Sequence, residues 1–452
     1  MRVLTLTLLV LVGLVGCGSD ETSILPDAGS DSDGTILDGS TCEPFCGLDA
    51  ETAPPCRNLQ CRQVTCEAGA TTSLSGTVTA PEGTLGIYNA IVYVPNDPTA
   101  PIQHGATCDK CGQVSGSPVT STLTDTAGHF VLKNVPVGQN VPVVIQIGKW
   151  RRQIVIPAVQ ACLDQPVATA LTHLPRNKAE GDIPRVALTT GGADPLECLP
   201  RKLGLDAAEI SNPNGTGSVN LYQGAGGSRI NVSTPTAQSF WTSEPQLKSY
   251  DMIMLGCEGA EHNENKGPVA MAAMKAYADQ GGRVFTTHFQ YTWLQNGPPD
   301  FASTATFLHT GIPDPIDATI NDTFPKGKAF ADWMALNGSL KSSTPPVFTV
   351  REPRRDVTTV LGASTPWVTV AVPPTTLYYS FNTPVTSLPE NQCGKVVFSD
   401  LHVSSGDAVG GTFPAGCTTT TLTPQEKALV FLLFDLASCV QDDTKDPVPV
   451  PN

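Results

Sequence analysis

The sequence predicts an α/β domain built on a doubly wound parallel sheet, preceded by a small all-β sandwich. Residues 250–290 read as strand, loop, helix, Gly-Gly turn and strand, which is one crossover unit of a parallel sheet. Residues 72–175 contain short stretches of alternating apolar and polar residues separated by turn residues, as in antiparallel sandwiches. At 452 residues the chain is long enough for two hydrophobic cores.

The composition excludes one class of partner and favours one compartment. The chain has 42 Asp and Glu against 27 Lys and Arg, a net charge of -15. Because a phosphate backbone repels so acidic a surface, we expect no nucleic-acid partner. Charged residues make up only 15%, whereas there are 41 Gly and 39 Pro. This balance predicts many turns and loops and is common among exported proteins.

The N-terminus has the features of an export signal. Met1 and Arg2 precede an apolar run over 3–15, which is too short to span a membrane as a mature helix. The run ends in Leu-Val-Gly-Cys17, which resembles the lipobox of bacterial lipoproteins. The resemblance implies cleavage before Cys17, its lipidation and a membrane anchor, and Gly18 favours the outer membrane. An ordinary signal with a chance cysteine is the alternative reading of residues 1–17.

Two further N-terminal segments precede the sandwich. Residues 18–41 are rich in Ser, Asp and Gly and predict a flexible acidic linker. Residues 42–71 form a cysteine-rich neck with few apolar residues, which we expect disulfides to hold together. A zinc site is the alternative, although the spacings CxxxC and CxxxxC do not match the usual paired CxxC pattern. Removing Cys17 from the 14 cysteines leaves 13, so at least one is free or bonded between chains.

Particular residues of the sandwich point to a module type. The segments are 75–78, 124–125 and 136–138, together with Gly128 and Phe130. They resemble the carboxypeptidase regulatory-like, transthyretin-like domain. The resemblance implies a non-catalytic module over 72–175, of a kind often associated with carbohydrate or with adaptor functions.

The second domain is predicted over 182–439, with a tail over 440–452. Residues 347–379 alternate like strands. Buried strands are expected at 185–190, 252–255, 284–287 and 394–402, the last with its end, and the second of them is a continuous apolar run. Between the second and third strands, apolar residues at helical spacing predict a helix packed on the sheet. Thr423 as cap and Pro424 at the first position predict the start of the closing helix.

The three stretches YDMIMLG, QGGRVFTTH and GKVVFSDLH resemble the trehalose-utilisation-type branch of the class I glutamine amidotransferase-like superfamily. The resemblance implies a flavodoxin-like sheet. It places His288 where amidotransferases carry their nucleophilic cysteine, and His402 near their catalytic histidine. The sequence around His288 has neither cysteine nor flanking glycines. Glutamine hydrolysis by the thiol mechanism is therefore not expected.

Ionisable residues follow the predicted strands. Because the carboxyl ends of parallel strands lie at one edge, we expect Glu258, His262, His288, Asp400 and His402 to converge there. Such residues can act as acid and base or hold a divalent metal with a bound water. One hypothesis is a hydrolase or lyase acting on a sugar derivative. The favoured hypothesis is an envelope lipoprotein that binds carbohydrate or surface partners without turnover, these side chains bonding loop backbones.

The remaining cysteines predict disulfides. Cys257 follows a strand, but a long loop separates it from the next helix, unlike a nucleophile elbow. A bond to Cys198 or Cys417, expected at the same sheet edge, is the favoured alternative. The other predicted bonds lie elsewhere: Cys393 with Cys439, and Cys108 or Cys111 with Cys162.

Overall fold

A computed structural model describes residues 55–362, 364–402 and 406–447. The predicted signal segment 1–17 with Cys17, the linker 18–41 and the first two neck cysteines, Cys42 and Cys46, lie outside these residues. Within the described chain, no helix combines the length and apolar character that crossing a membrane requires.

The N-terminal part consists of two small sheets. Its strands are β1 (Ser73–Thr77), β2 (Ile91–Pro95), β3 (Pro118–Leu123), β4 (His129–Lys133), β5 (Gly138–Ile147), β6 (Trp150–Val159) and β7 (Asp164–Pro166), followed by helix α1 (Thr169–Thr172). The sheets have the strand orders β4-β1-β7 and β3-β2-β5-β6. Apolar side chains of both sheets, among them Leu74 and Leu132 from one and Val143 and Ile145 from the other, belong to one core. The alternating stretches 74–79, 90–94, 130–132 and 143–147, on which the sequence prediction rests, overlap β1, β2, β4 and β5 and are confirmed as strands.

The second part contains the remaining elements. Its strands are β8 (Val186–Thr190), β9 (Ile210–Ser211), β10 (Val219–Gln223), β11 (Met252–Leu255), β12 (Arg283–Thr287), β13 (Ala305–Thr310), β14 (Ile316–Ile320), β15 (Ser342–Ser343), β16 (Pro346–Val350), β17 (Arg355–Val360), β18 (Thr365–Val370), β19 (Thr375–Thr383) and β20 (Gly394–Ser399). Its helices are α2 (Leu199–Lys202), α3 (Ala237–Trp241), α4 (Glu244–Lys248), α5 (Pro268–Asp279), α6 (Thr292–Gln295), α7 (Pro299–Ala302), α8 (Pro325–Leu336) and α9 (Pro424–Ala437).

Eleven of these strands form one mixed sheet of order β15-β16-β14-β18-β19-β20-β12-β11-β8-β10-β9. The strands from β20 to β9 are parallel. Those from β15 to β19 pair antiparallel with their neighbours, and β19 is antiparallel to β20. The prediction of a wholly parallel sheet is therefore wrong for this half. Only four residues connect β18 to β19, too few for the crossover that parallel neighbours need.

The parallel strands separate two cores. Ile253 of β11 and Val284 of β12 lie in a core with α5, whose Met271, Met274 and Tyr277 are buried. The next residues along these strands, Met254 and Phe285, lie in a second core with α8, α9 and the sandwich. Continuous apolar strand sequences arise because both faces of the sheet are covered.

The sandwich and the second part share that second core. Tyr88 stacks on Phe431 of α9 with 5.8 Å between ring centroids. Gly148, between β5 and β6, has a φ of 54°, and a Cβ added there would lie 1.8 Å from the carbonyl oxygen of Ala437. The β5–β6 turn therefore needs glycine both for its conformation and for its approach to the end of α9. The described chain from Cys56 onward forms one compact unit.

Disulfides join the two parts in a pattern that corrects the prediction. The bonds are Cys56–Cys61, Cys66–Cys162, Cys108–Cys393, Cys111–Cys439 and Cys198–Cys417. Cys393 and Cys439 do not bond to each other, because the insertion with Cys108 and Cys111 reaches the second part, where each of its cysteines bonds to one of them. The predicted bond from Cys108 or Cys111 to Cys162 is wrong for the same reason, and Cys162 bonds to Cys66 of the neck. In the neck, Cys56, Cys61 and Cys66 are all in disulfides, so none of the three is a zinc ligand in this structure.

Candidate functional site

Three side chains meet at the carboxyl edge of the parallel strands. Cys257 follows β11, His288 follows β12 and His402 follows β20. One potential ligand atom from each lies within 4.8 Å of the other two. The rings of His288 and His402 have centroids 3.6 Å apart. We call Cys257, His288 and His402 the CHH cluster.

The backbone at the strand ends places these residues. His288 has a φ of 44°, a left-handed conformation that is uncommon for a residue other than glycine and is enriched at functional sites. It begins a 3-10 helix, His288–Tyr291, directly after β12. At the neighbouring strand end, a Cβ on Gly191 would lie 2.0 Å from the carbonyl oxygen of Cys257. Only glycine at 191 therefore lets the β8 and β11 loops pack this closely.

Burial sets the protonation state of the CHH cluster. It lowers the pKa of His288 well below the ordinary value, and the charges of His402 and Arg354 lower it further. Burial, with a smaller effect of Arg354, lowers the pKa of His402 to about 4. Burial likewise raises the pKa of the Cys257 thiol to about 12. Without a metal, therefore, both imidazoles and the thiol are neutral at pH 7.

Two groups lie next to the imidazoles. The backbone of Asp400 partly offsets the effect of burial on the pKa of His288, and the Nε2 atom of this ring is buried without a hydrogen-bond partner among the described residues. His402 Nδ1 lies 3.3 Å from a carboxylate oxygen of the half-exposed Glu352, and neither ring nitrogen of His402 makes a hydrogen bond within the described residues. A backbone carbonyl or carboxylate behind the imidazole is the usual support of a metal-binding histidine.

The CHH cluster has the donor set of a transition-metal site. One sulfur and two imidazole nitrogens suit Zn²⁺ and related ions, and three protein ligands leave a fourth tetrahedral position for water or substrate. Cysteine binds metal as the thiolate, so binding would release the Cys257 proton. A nucleophilic role for Cys257 fits less well, because its side chain is fully buried and its pKa is raised.

The predicted disulfide from Cys257 is wrong. Cys198 and Cys417 bond to each other, and Cys257 is the free cysteine among the described residues. Cys417 lies in a partly exposed loop, whereas Cys257 is buried at the end of a central strand next to two imidazoles. Cys198 and Cys417 therefore bond to each other, and Cys257 keeps a free thiol beside the two histidines.

Two predicted site residues lie outside the CHH cluster. The carboxylate of Glu258 accepts a hydrogen bond of 2.8 Å from the Ala225 amide and pairs with the buried Lys266 ammonium at 2.7 Å. Glu258 therefore fixes neighbouring loops. His262 lies on the partly exposed loop and pairs with Glu264 at 3.0 Å. The structure does not bring either side chain to the two histidines.

Asp400 contacts the CHH cluster through its backbone. Its buried carboxylate accepts a hydrogen bond of 2.9 Å from the Asp356 amide. Burial and the neighbouring Asp356 carboxylate raise the pKa of Asp400 well above its usual range. Asp356 in turn pairs with His309 at 2.9 Å. The expected convergence of five side chains is thus corrected to two of them, His288 and His402, with Cys257 as the third.

The sequence prediction missed Glu352, Arg354 and Asp356. All three come from the connection into β17 or its start, on the antiparallel side. The signal was a charged run, Arg-Glu-Pro-Arg-Arg-Asp over 351–356, in a chain with only 15% charged residues. This charged run between two strand-like segments is the sequence signal that could have indicated that residues 351–356 contribute to the site.

We predict that acid destabilises the metal-free protein through this cluster. Both imidazoles have pKa values below the ordinary 6.5, so below that pH the unfolded chain binds more protons than the folded chain. The free energy of unfolding should therefore fall with pH below 6.5, by up to about 1.4 kcal/mol per pH unit for each imidazole. For His402 the loss levels off near pH 4.

Urea unfolding after chelator treatment, at pH 7 and pH 5, measures this effect. The His288→Gln/His402→Gln double variant should lose less stability between the two pH values than the wild type. An equal loss in both proteins would contradict the assignment of neutral buried imidazoles.

Comparisons with known proteins are sparse. No protein-family profile matches the chain, and no curated protein matches it. Among solved structures, a ThuA-like protein from Bacteroides uniformis aligns with 55% of this chain and 90% of its own, at 12% identity and a TM-score of 0.31.

Two mutant complexes of type II cohesin with X-dockerin from Acetivibrio cellulolyticus also align. The C-terminal interface mutant covers 22% of this chain at 21% identity and a TM-score of 0.14, and the match spans about half, 53%, of that chain. The N-terminal interface mutant covers 30% of this chain and 85% of its own, at 18% identity and a TM-score of 0.17. Likenesses this distant assign no family.

Proposed function

We propose that the second part of this protein is a metal-dependent hydrolase or lyase whose metal is held by Cys257, His288 and His402. The observation that carries the proposal is the CHH cluster itself, with three soft or borderline donors within 4.8 Å at the carboxyl edge of the strands. The neutral imidazoles support it, since a protonated histidine cannot bind a metal. A metal bound there would lower the pKa of a coordinated water.

The chain's own residues have distinct roles in this proposal. The Asp400 backbone lies next to His288, and the Glu352 carboxylate, 3.3 Å from His402 Nδ1, would accept a hydrogen bond from that ring when its Nε2 binds the metal. Arg354, whose charge acts on all three members of the CHH cluster, favours the Cys257 thiolate. Arg354 would also stabilise negative charge that develops on a substrate next to the cluster.

A sugar derivative is the proposed substrate class. Support comes from the resemblance of the segments around β11, β12 and β20 to trehalose-utilisation-type domains. We also propose a flavodoxin-like arrangement for this half of the sheet, supported by the order 2-1-3-4-5 that β10, β8, β11, β12 and β20 have when the two-residue edge strand β9 is left aside. We further propose that Cys17 is lipidated and anchors the protein to the outer membrane.

The second candidate function is binding of carbohydrate or surface partners without turnover. The burial of the CHH cluster favours it, because Cys257 is 0% and His288 is 1% exposed. A metal at so enclosed a position could stabilise the fold instead of acting on a substrate.

An activity assay on the full chain separates the two functions. The chain, stripped with a chelator and reloaded with Zn²⁺, is tested on a panel of nitrophenyl glycosides and sugar esters. We expect turnover to require Zn²⁺ and to fall at least about 100-fold in His402→Ala, since removing a ligand costs at least as much as removing its support. Absence of turnover on the panel, or turnover indifferent to this change, would overturn the catalytic proposal.

A further inference from the structure

Arg354 is a partly buried cation without an acidic partner among the described residues. Its charge acts on all three members of the CHH cluster. The side chain forms no ion pair and no hydrogen bond within the described chain, and its guanidinium carbon lies 4.8 Å from the centroid of the Phe289 ring. The five N–H donors of the guanidinium are thus available to a ligand.

Two contacts hold Arg354 at the strand ends. Its backbone amide donates to the carbonyl oxygen of Asp400 at 3.1 Å, and Asp400 directly follows β20. Its guanidinium lies over Phe289, which directly follows His288. Because a cation within about 6 Å of a ring centroid is attracted to the ring, Phe289 favours this position of the charge.

Arg354 lies on the open side of the CHH cluster. Of the three members His402 alone is partly exposed, with 15% of its side chain accessible. The segment 352–354 runs along this side, since Glu352 lies 3.3 Å from His402 Nδ1 and Arg354 bonds to the Asp400 backbone. A ligand that reaches the cluster past His402 therefore also comes to the guanidinium.

The local charge favours an anionic ligand. Residues 351–356 contain three arginines against two acids, in a chain whose net charge is -15. One of the acids, Asp356, pairs with His309 at 2.9 Å. The other, Glu352, is balanced at the proposed site, because a zinc ion bound to a single thiolate keeps a positive charge. The charge of Arg354 therefore attracts an anion from solution.

A guanidinium recognises a particular chemistry. Its planar fork can donate two parallel hydrogen bonds to a carboxylate or a phosphate, and such charge-assisted bonds are stronger than those between neutral groups. A neutral substrate that covered Arg354 would leave the cation without a counter-charge, which costs free energy. The side chain thus distinguishes acidic from neutral ligands.

We propose that the substrate of the metal site is an acidic sugar derivative whose carboxylate or phosphate group pairs with Arg354. The guanidinium holds the anionic group beside the CHH cluster, and the rest of the ligand lies next to the metal. This inference rests on the proposed function and narrows its substrate class from sugar derivatives in general to acidic ones.

Titration calorimetry of the full chain, saturated with Zn²⁺, tests the inference with glucuronate and glucose 6-phosphate as acidic probes and glucose as their neutral counterpart. We expect the wild type to bind at least one acidic probe with saturation and more tightly than glucose. The probe that binds more tightly identifies the anionic group. In Arg354→Gln the affinity for that probe should fall about 10- to 100-fold, the effect of losing a hydrogen bond to a charged group, and any affinity for glucose should stay unchanged.

Arg229→Gln is the matched control. Arg229 is exposed and forms no ion pair among the described residues, so its variant makes the same change in net charge away from the CHH cluster. It should bind the acidic probes as the wild type does. Equal affinities of the wild type and Arg354→Gln, with folds intact by circular dichroism, would overturn the inference. So would an equal loss in both variants, or a wild type that binds neither acidic probe with saturation.

Zinc analysis of the same samples reports on the proposed function separately. A wild type that holds no zinc overturns the metal site, and the comparison of Arg354→Gln with the wild type still decides on the acidic ligand. Zinc-dependent turnover together with equal affinities overturns the inference alone.

Discussion

Replacing His288 with alanine should remove the metal from this protein. The variant lacks one of the three proposed ligands, so only the Cys257 sulfur and a His402 nitrogen remain to hold the ion. We expect the affinity for Zn²⁺ to fall at least about 100-fold, more than the loss of a supporting residue usually costs. Metal analysis after dialysis against a weak chelator should find stoichiometric zinc in the wild type and background zinc in the variant.

The matched control for this prediction is His129→Ala. His129 lies on β4 of the sandwich with a largely exposed side chain and is not part of the CHH cluster. Its variant should retain the zinc of the wild type. Zinc retained by His288→Ala, or lost equally by both variants, would place the metal elsewhere.

The second large effect is expected from Lys326→Met. Lys326, near the start of α8, is 1% exposed and pairs with Asp435 at 2.6 Å and with Asp443 at 2.9 Å. Lys395 pairs with the same two carboxylates, so four charges form one buried network. Removing one cation leaves two buried carboxylates with a single partner. Such a change typically costs about 3–5 kcal/mol of unfolding free energy.

Denaturant unfolding measures this cost, with Lys328→Met as the control. Lys328 lies on the same helix and pairs with Asp332 at 2.9 Å, but both side chains are well exposed. Exposed pairs contribute at most about 1 kcal/mol, so the control should lose little stability. A loss of equal size in both variants would contradict the structural role assigned to the buried network.

Much of the parallel half could be predicted from the sequence. The strands β8, β11, β12 and β20 are confirmed, and every residue in them is buried because the sheet is covered on both faces. The closing helix α9 begins at Pro424 with Thr423 and Glu426 forming a capping box, so its start is confirmed as well. These signals are local in the chain, which is why one sequence suffices to find them.

The remaining errors concern contacts between distant segments. The strand-like alternation over 347–379 agrees with β16 to β19, but the sequence does not predict their antiparallel pairing, because short alternating runs do not specify pairing partners. The cysteines were paired within each predicted domain, whereas Cys108 bonds to Cys393 across 285 residues. Nothing in the spacing indicated that the insertion would reach the second part.

The sequence predicts only part of the candidate site, because it indicates where strands end but not where the loops after them turn. His288 and His402 could be placed because they follow parallel strands that end at one edge. Whether a residue beyond a strand end turns inward or outward depends on the loop. Cys257 turns into the CHH cluster, whereas the Glu258 carboxylate turns to Lys266. Glu352 reaches His402 from the antiparallel side, which strand order alone could not indicate.

Titration of the chelator-treated full chain with Co²⁺ tests the central claim most directly. A cobalt ion bound to the Cys257 thiolate and two imidazoles should give a thiolate-to-metal charge-transfer band in the near ultraviolet and intense tetrahedral bands in the visible. We predict that both saturate at one ion per chain and that Cys257→Ser loses the charge-transfer band. A wild-type protein without these bands, or a Cys257→Ser variant that keeps the charge-transfer band, would contradict the assignment.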